Sequence, residues 1–421
     1  MKLRPYQEKV ISDAISGFKE TNRQLIVLPT GSGKTVVFSH IVQKLNRKTL
    51  IVAHTKELIE QSERTLKTIV KNVPYKVMSI QKASVHLSRG KLKNQGYEFL
   101  IIDECHRSGA LSYQNLIERL SQEGNLKILG TTATPFRSDG QRMKDIFGEP
   151  ICSFTMIDMI KEGFLCDYEG YRVRTDCSLK GISTQKGDFI SARLAPIINV
   201  KNRNELIVNE WKKIASECKT LCFTANIAHA EDLAKSFRDK GITCEAVHGE
   251  LSKTRRQSIL KDFKEGIITV ITNCQILTEG FDEPSITCLL MARPTTSKVL
   301  YIQMIGRGSR TFPGKSLCKV IEFTDNEYDV CSIEDIFEAN AKKYKIRHGE
   351  RLSDYGIRVE KELLNETDHT VIEKMDVFIP KNIYEKPASV WQRQYLSEKQ
   401  VVFSEPLTEF VANQLIIGIS N

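Results

Sequence analysis

Leu28-Pro29-Thr30-Gly31-Ser32-Gly33-Lys34-Thr35-Val36-Val37 closes an apolar run that begins at Leu25, and it leads into Phe38 and Ile41. A strand, a glycine-punctuated turn, a Lys-Thr pair and a helix are the parts of a phosphate-binding loop. Gly31 and Gly33 let the backbone turn its N–H groups inward around phosphate oxygens. In such a loop Lys34 would reach the β- and γ-phosphates, and the Thr35 hydroxyl would hold Mg²⁺. Leu28 stands where the general pattern has its first glycine, so the motif alone also reads as an ordinary strand-to-helix turn.

Two further stretches decide between those readings. Phe99-Leu100-Ile101-Ile102 has the length and apolarity of a buried parallel strand and ends in Asp103-Glu104-Cys105-His106. Carboxylates at the carboxyl end of such a strand lie where α/β sheets bind ligands. Asp103 is placed to hold Mg²⁺ through water, and Glu104 to orient and deprotonate an attacking water. Residues 126–129 lead into Gly130-Thr131-Thr132-Ala133-Thr134-Pro135, a hydroxyl-rich loop suited to sensing the γ-phosphate side and coupling it to a second domain.

The chain has 421 residues, enough for two substantial cores and an appendage. Its 41% apolar and 27% charged content describes a soluble globular protein. A net charge of +9 fits a polyanionic partner but also fits simple solubility. The eleven cysteines are scattered, with no C-x-x-C pair, which points to a reducing compartment and to neither a disulfide framework nor a zinc site. No apolar run approaches the ~20 residues of a membrane span, and the first ten residues lack a signal-peptide core. A cytoplasmic protein without membrane partners is expected.

Apolar strands alternate with amphipathic helices from residue 3 to about 160. Strands are expected at 24–28, 49–53, 76–80, 98–102 and 127–130, with helices at 56–70 and 113–121. This alternation predicts an α/β parallel sheet. A polar, glycine-containing loop is expected at 178–188. A second series follows, with helices at 204–216 and 228–240 and strands at 168–175, 219–224, 243–248, 267–272 and 287–291. The division predicted is 1–163, 164–328 and 329–421, the last a small, mostly helical region with helix at 334–344 and at 359–365.

The second series carries Val247-His248-Gly249-Glu250-Leu251, Thr278-Glu279-Gly280-Phe281-Asp282 and Gln303-Met304-Ile305-Gly306-Arg307-Gly308-Ser309-Arg310. Read as one helix, Gln303, Arg307 and Arg310 stand three and four residues apart and share a face. Guanidinium forks suit phosphate oxygens, and across a cleft they act as fingers on a transferring phosphoryl group.

In order and spacing these motifs resemble the series of superfamily 2 helicases: motif I at 29–35, Ia at 53–58, II at 103–106, III at 131–135, V at 278–282 and VI at 303–310. Arg4-Pro5-Tyr6-Gln7 is similar to that family's adenine-reading element. The resemblance implies two tandem RecA-like domains with ATP and Mg²⁺ between them. It implies nucleotide contacts from Arg4, Gln7, Thr30, Gly31, Ser32, Gly33, Lys34, Thr35, Gly280 and Asp282. It implies metal contacts from Thr35 and Asp103, and catalytic roles for Lys34, Asp103, Glu104, Gln303, Arg307 and Arg310. Lys56, Gln81, Lys82 and Thr272 would touch a nucleic-acid backbone. Asp-Glu-Cys-His and Thr-Thr-Ala-Thr-Pro look closest to the XPB/RadD-like branch, which favours DNA over RNA. An RNA helicase and a motor subunit of a restriction or defence assembly are the alternatives. The apolar spacing of Pro387, Tyr395, Leu396, Leu407, Ala412 and Leu415 resembles a small helical module, a candidate for protein partners.

Overall fold

The computed structural model describes residues 3–107, 111–133, 143–185, 187–274, 277, 281–326, 330–336 and 345–365. The expected helical module beyond residue 365, and Gly280, Thr134 and Pro135, lie outside them.

Six strands form a wholly parallel first sheet: β1 Arg23–Val27, β2 Thr49–Ala53, β3 Tyr75–Ser79, β4 Phe99–Asp103, β5 Lys127–Thr132 and β6 Pro150–Ser153. Their order is β3-β2-β4-β5-β1-β6. The central strands are buried on both faces because their apolar residues alternate sides. Ile26, Ile51, Ile101 and Leu129 point into one core with Phe38 and Val42. Leu25, Leu50, Val52, Leu100 and Ile128 fill the other with Tyr113 and Phe147.

The helix Pro5–Glu20 was not expected. Proline begins it, the Gln7 Oε1 accepts from the Arg4 backbone N–H at 3.0 Å, and Tyr6, Val10, Ile11, Ala14 and Phe18 form its buried stripe. It carries the Arg4–Gln7 element onto the first sheet.

The second sheet starts at β7 Asp167–Ser178, after the small hairpin strands β8 Thr184–Gln185 and β9 Asp188–Phe189 are set aside. It adds β10 Thr220–Phe223, β11 Cys244–Val247, β12 Val270–Asn273, β13 Cys288–Met291, β14 Leu317–Asn326 and β15 Glu350–Arg351. The order is β11-β12-β10-β13-β14-β7-β15, parallel except for β15. The stretch expected to be plain loop at 178–188 therefore contains most of a hairpin. Asp188 anchors it, accepting from the Thr295 hydroxyl at 2.7 Å and from Arg293 at 2.6 Å. Residues 350–365, expected in a separate appendage, add β15 to this sheet and the helix Leu352–Asn365 beside it. Of the helix expected at 334–344, a short 3-10 turn at Ile333–Ile336 is described.

Both sheets are RecA-like. One apolar cluster runs through both, joining Tyr6, Phe38, Leu165 and Tyr168 to Met304 and Ile305.

Candidate active site

The phosphate loop leaves β1 at its carboxyl end. Gly31 and Gly33 have φ of 89° and 82°, a left-handed backbone that a side chain would strain, and the helix Lys34–Leu45 starts directly behind them. The second domain meets the loop here. The Ser309 hydroxyl donates to the Thr30 carbonyl at 3.0 Å, and a Cβ on Gly306 would overlap the Thr30 side chain. From the first helix, the Tyr6 hydroxyl donates to the Ser32 carbonyl at 2.5 Å and the Gln7 amide does so at 3.0 Å. Gln7 thus braces the loop in this structure. Arg4 donates to the Phe164 carbonyl at 2.8 Å, which ties the same element to the connection between the sheets.

β4 ends at Asp103, and Glu104 follows with φ of 51°, unusual for a residue with a side chain. That reversal leaves two neighbouring carboxylates buried under the phosphate loop. Asp103 Oδ1 accepts from the Thr131 hydroxyl at 2.8 Å, which joins β4 to β5; Gly130, Thr131 and Thr132, expected in a loop, are the last residues of that strand. Lys34 donates to the Leu28 carbonyl at 3.2 Å and stands 3.6 Å from Glu104. The other Glu104 oxygen lies 3.3 Å from His106 Nδ1 without a well-formed hydrogen bond.

The two carboxyls titrate apart. Burial and the Glu104 charge push Asp103 up to about 6, against the pull of Lys34. Burial also raises Glu104, but Lys34, His106 and Arg307 outweigh it and hold that group down at about 2. Arg307 belongs to the second domain, so its charge is felt across the cleft.

The expected arginine face is corrected. The helix is Lys298–Ile305, and Gln303 sits on it, buried. Arg307 and Arg310 lie beyond its end. Gly306 N–H closes the last turn onto Ile302, while Arg307 and Gly308 bond back only three residues, to Met304 and Ile305. Gly306 and Gly308 let this exit press against Thr30 and against Cys318 and Leu289, and the Ser309 carbonyl then accepts from Cys166 N–H at 2.7 Å. Arg307 donates to the Phe281 carbonyl at 2.6 Å. Arg310 pairs with Asp282, and burial lowers it to about 10, which leaves it charged at neutral pH.

A second correction concerns Thr272. It is fully buried in the middle of β12 and donates its hydroxyl to the Ala230 carbonyl at 2.8 Å, so it has no surface to offer a nucleic acid. Lys56, Gln81 and Lys82 are exposed. Ser309 was missed by the sequence reading because a serine between two arginines carries no signal of its own.

The donor set fits a magnesium nucleotide. Thr35 and Asp103 offer hard oxygens, a nearby cation would offset the Glu104 charge that helps raise Asp103, and at Gly31 and Gly33 the missing side chains let Ser309 and Gln7 close against the loop. Among the described residues there is no cluster of three or more His, Cys, Asp or Glu side chains that could hold a metal unaided. Nor is any described helix long and apolar enough to cross a membrane.

Residues 1–137 match the family model "Type III restriction enzyme, res subunit", and residues 202–311 match "Helicase conserved C-terminal domain". The putative ATP-dependent helicase IRC3 of Saccharomyces cerevisiae is 30% identical over 82% of this chain, which spans 58% of that protein's length. The DNA 3'-5' translocase XPB2 of Sulfurisphaera tokodaii is 23% identical over 73% of this chain and 78% of its own. The solved fragment of a putative HsdR subunit of a type I restriction enzyme from Vibrio vulnificus superposes with a TM-score of 0.60. That likeness covers 76% of this chain and 64% of the fragment at 24% identity, and it speaks for the fold.

Proposed function

Because this chain belongs to superfamily 2 of the helicases, we propose that it is an ATP-dependent DNA helicase or translocase that couples hydrolysis to strand separation or remodelling of duplex and branched DNA. The observation that carries this reading is the meeting of the two domains at one site. Glu104 feels Lys34 from its own domain and Arg307 from the other, and Ser309 is bonded to the phosphate loop.

In this proposal the backbone of residues 30–35 cradles the phosphates and Lys34 neutralises them. Thr35 and Asp103 hold Mg²⁺, which when bound offsets charge on the β- and γ-phosphates. Glu104 orients the water and takes its proton. Its carboxyl is held low by Lys34, so we assign it that role once the lysine turns to phosphate and the carboxylate regains basicity. Arg307 and Arg310 approach the γ-phosphate from the second domain, Arg310 after leaving Asp282, which is then free for the ribose. Gln303 supports them from its helix. Gly280 and the adenine contacts of Arg4 and Gln7 complete the assignment by family resemblance. We set the domain boundary near 163, between β6 and β7, with the second domain extending past 328 to include β15.

DNA is preferred over RNA on the Asp-Glu-Cys-His and Thr-Thr-Ala-Thr-Pro motifs, and a relative is named as a DNA translocase. Eleven scattered cysteines, none joined in a disulfide, favour a reducing compartment such as the cytoplasm, and fractionation tests that. The experiment for the main reading is the ATPase rate of the purified chain with single-stranded, duplex, forked and four-way DNA and with RNA. Strongest stimulation by a DNA containing duplex supports the proposal, and strongest stimulation by RNA overturns it. A second reading, a motor subunit that needs partners, is favoured by the restriction-subunit family match over residues 1–137. It predicts no stimulation by any nucleic acid until partner proteins are added.

A further inference from the structure

Residues 71–97 contain Lys71, Lys76, Lys82, Arg89, Lys91 and Lys93 and no aspartate or glutamate, a local +6 in a chain whose net charge is +9. The segment folds as β3, the edge strand of the first sheet, then the helix Ile80–Ser88 and the turn that follows it. Lys76, Lys82, Arg89 and Lys91 are exposed. Lys82 and His86 are four residues apart on one helix face, and Arg89 stands at the helix's end. After the effect of its burial, His86 is held below its ordinary pKa by Lys76, Lys91, Lys82 and Arg89, which places all four cations around it.

Like charges gathered this closely repel, and elsewhere the surface relieves such repulsion with acidic partners. Lys201 stands beside Glu205, Lys213 beside Glu210, Arg255 beside Glu245 and Lys261 beside Glu265. Among the described residues, none of the six cations of 71–97 has a carboxylate within 4.0 Å. The acids that come near sit at the margins. Glu63 lies by Tyr75, and Glu123 accepts from the Asn94 N–H at 3.1 Å.

Position gives the cluster a direction. All strands of this sheet run parallel, so the turn at Ser79, where the helix begins, lies on the same edge as the phosphate loop and Asp103. From Lys82 near that edge to Arg89 at its end, the helix carries the charge about 10 Å down the outer flank, at roughly 1.5 Å per residue. Bases of a single strand are gripped by stacking on aromatic rings. Here Tyr75 and Tyr97 are half-buried, and Val85 is the large apolar side chain exposed on the helix. The face suits phosphates rather than bases.

We propose that Lys76, Lys82, Arg89 and Lys91, on the edge strand, the outer helix and the turn that ends it in the first domain, grip the phosphate backbone of a DNA duplex arm beside the cleft. This rests on the motor reading above and adds where the duplex is held.

The test is a Lys76→Glu, Arg89→Glu, Lys91→Glu variant of the full chain, with the corresponding triple glutamine variant beside it. All three positions are exposed, and a thermal melt checks the fold. Binding without nucleotide is measured by fluorescence anisotropy across a salt series, on a tailed DNA duplex, on the tail alone and on an RNA duplex. The expected result is an affinity for the tailed duplex at least about tenfold weaker, with the log–log salt slope reduced by about 2 to 3, at roughly 0.9 per lost contact. Binding to the tail alone should stay within about twofold, and ATPase without nucleic acid should be unchanged. Equal losses on both substrates would assign the cluster to the strand path, and no loss on either would leave it without a role; both overturn the proposal. Loss confined to an RNA duplex overturns the choice of DNA. A wild-type chain with no DNA-stimulated ATPase defeats the motor reading instead, a result read separately from the variant's binding.

Discussion

Lys34 and Glu104 sit 3.6 Å apart, yet their loss should have different consequences. Lys34→Ala removes the charge that meets the phosphates, so both nucleotide affinity and turnover should collapse. Glu104→Gln keeps Asp103 and the phosphate loop, so nucleotide should still bind while steady-state hydrolysis falls by about 10² or more. Isothermal titration with a slowly hydrolysed analogue, run beside an ATPase assay, separates the two, and normal turnover by either variant refutes its assigned role. Arg307→Ala and Arg310→Ala should leave nucleotide affinity nearly intact and cut hydrolysis by about 10³, because their charge matters most as negative charge shifts in the transition state. Unchanged turnover with weakened DNA binding would mark them as part of the nucleic-acid surface. A different residue governs acid stability. His229 is fully buried, its Nδ1 accepts from Ala225 N–H at 3.3 Å, and its Nε2 has no partner. Burial, then Arg203 and Arg293, lower it to about 3. The unfolded chain takes up a proton there below about pH 6.5 and the folded chain does not. Stability is therefore full above that pH and declines as pH falls towards 3, by up to about 1.4 kcal/mol per pH unit. Urea melts of His229→Gln, which can still accept from Ala225, should show a shallower decline than wild type; an identical slope would refute the attribution.

At the scale of elements, the exit of the helix Lys298–Ile305 matters more than its length. Gly306 passes against Thr30 with no room for a Cβ. Gly306→Ala should therefore hold the domains apart, sparing nucleotide binding on the first domain and reducing hydrolysis at least about tenfold. Small-angle scattering should show the matching expansion, and an unchanged profile with wild-type turnover would refute it. The same exit shows where sequence reasoning stops. Gln303, Arg307 and Arg310 were legible as a group, because their chemistry is carried by residue type. The helical face was not, because helical spacing holds only while the helix lasts, and this one stops at Ile305, before either arginine. The inner strands β2, β4 and β5 were legible because unbroken apolar runs have few alternatives. β14 was hidden by Lys319 and Glu322 inside its run. Both are satisfied by neighbours distant in sequence, Lys319 at the Ile214 carbonyl at 2.6 Å and Glu322 beside Arg172 at 3.5 Å and at the Tyr301 hydroxyl. The helix Lys253–Lys264 buries only Ile259 and Phe263, too few for a clear period. Thr272 could not be placed from its neighbours alone, since a motif threonine at a strand's end and one in its middle look alike in sequence.

For the whole molecule, the two sheets meet at the candidate site and share one apolar cluster, yet each also has a core of its own. The second sheet stores Cys222, Cys244, Cys288 and Cys318 on β10, β11, β13 and β14, all buried. Burial pushes the first three thiols far above their usual range and Cys318 up to about 12. In the folded state such thiols are almost never thiolates, and the thiolate is the nucleophile. Cys105 and Cys152 are the buried cysteines of the first domain. The chain thus carries a tamper seal in each half. Under a brief pulse of iodoacetamide in rising urea, a sulfur is alkylated when its own half has come undone. Peptide mass spectrometry then reads, without any introduced label, which half yields first and whether a bound nucleotide makes the two yield together.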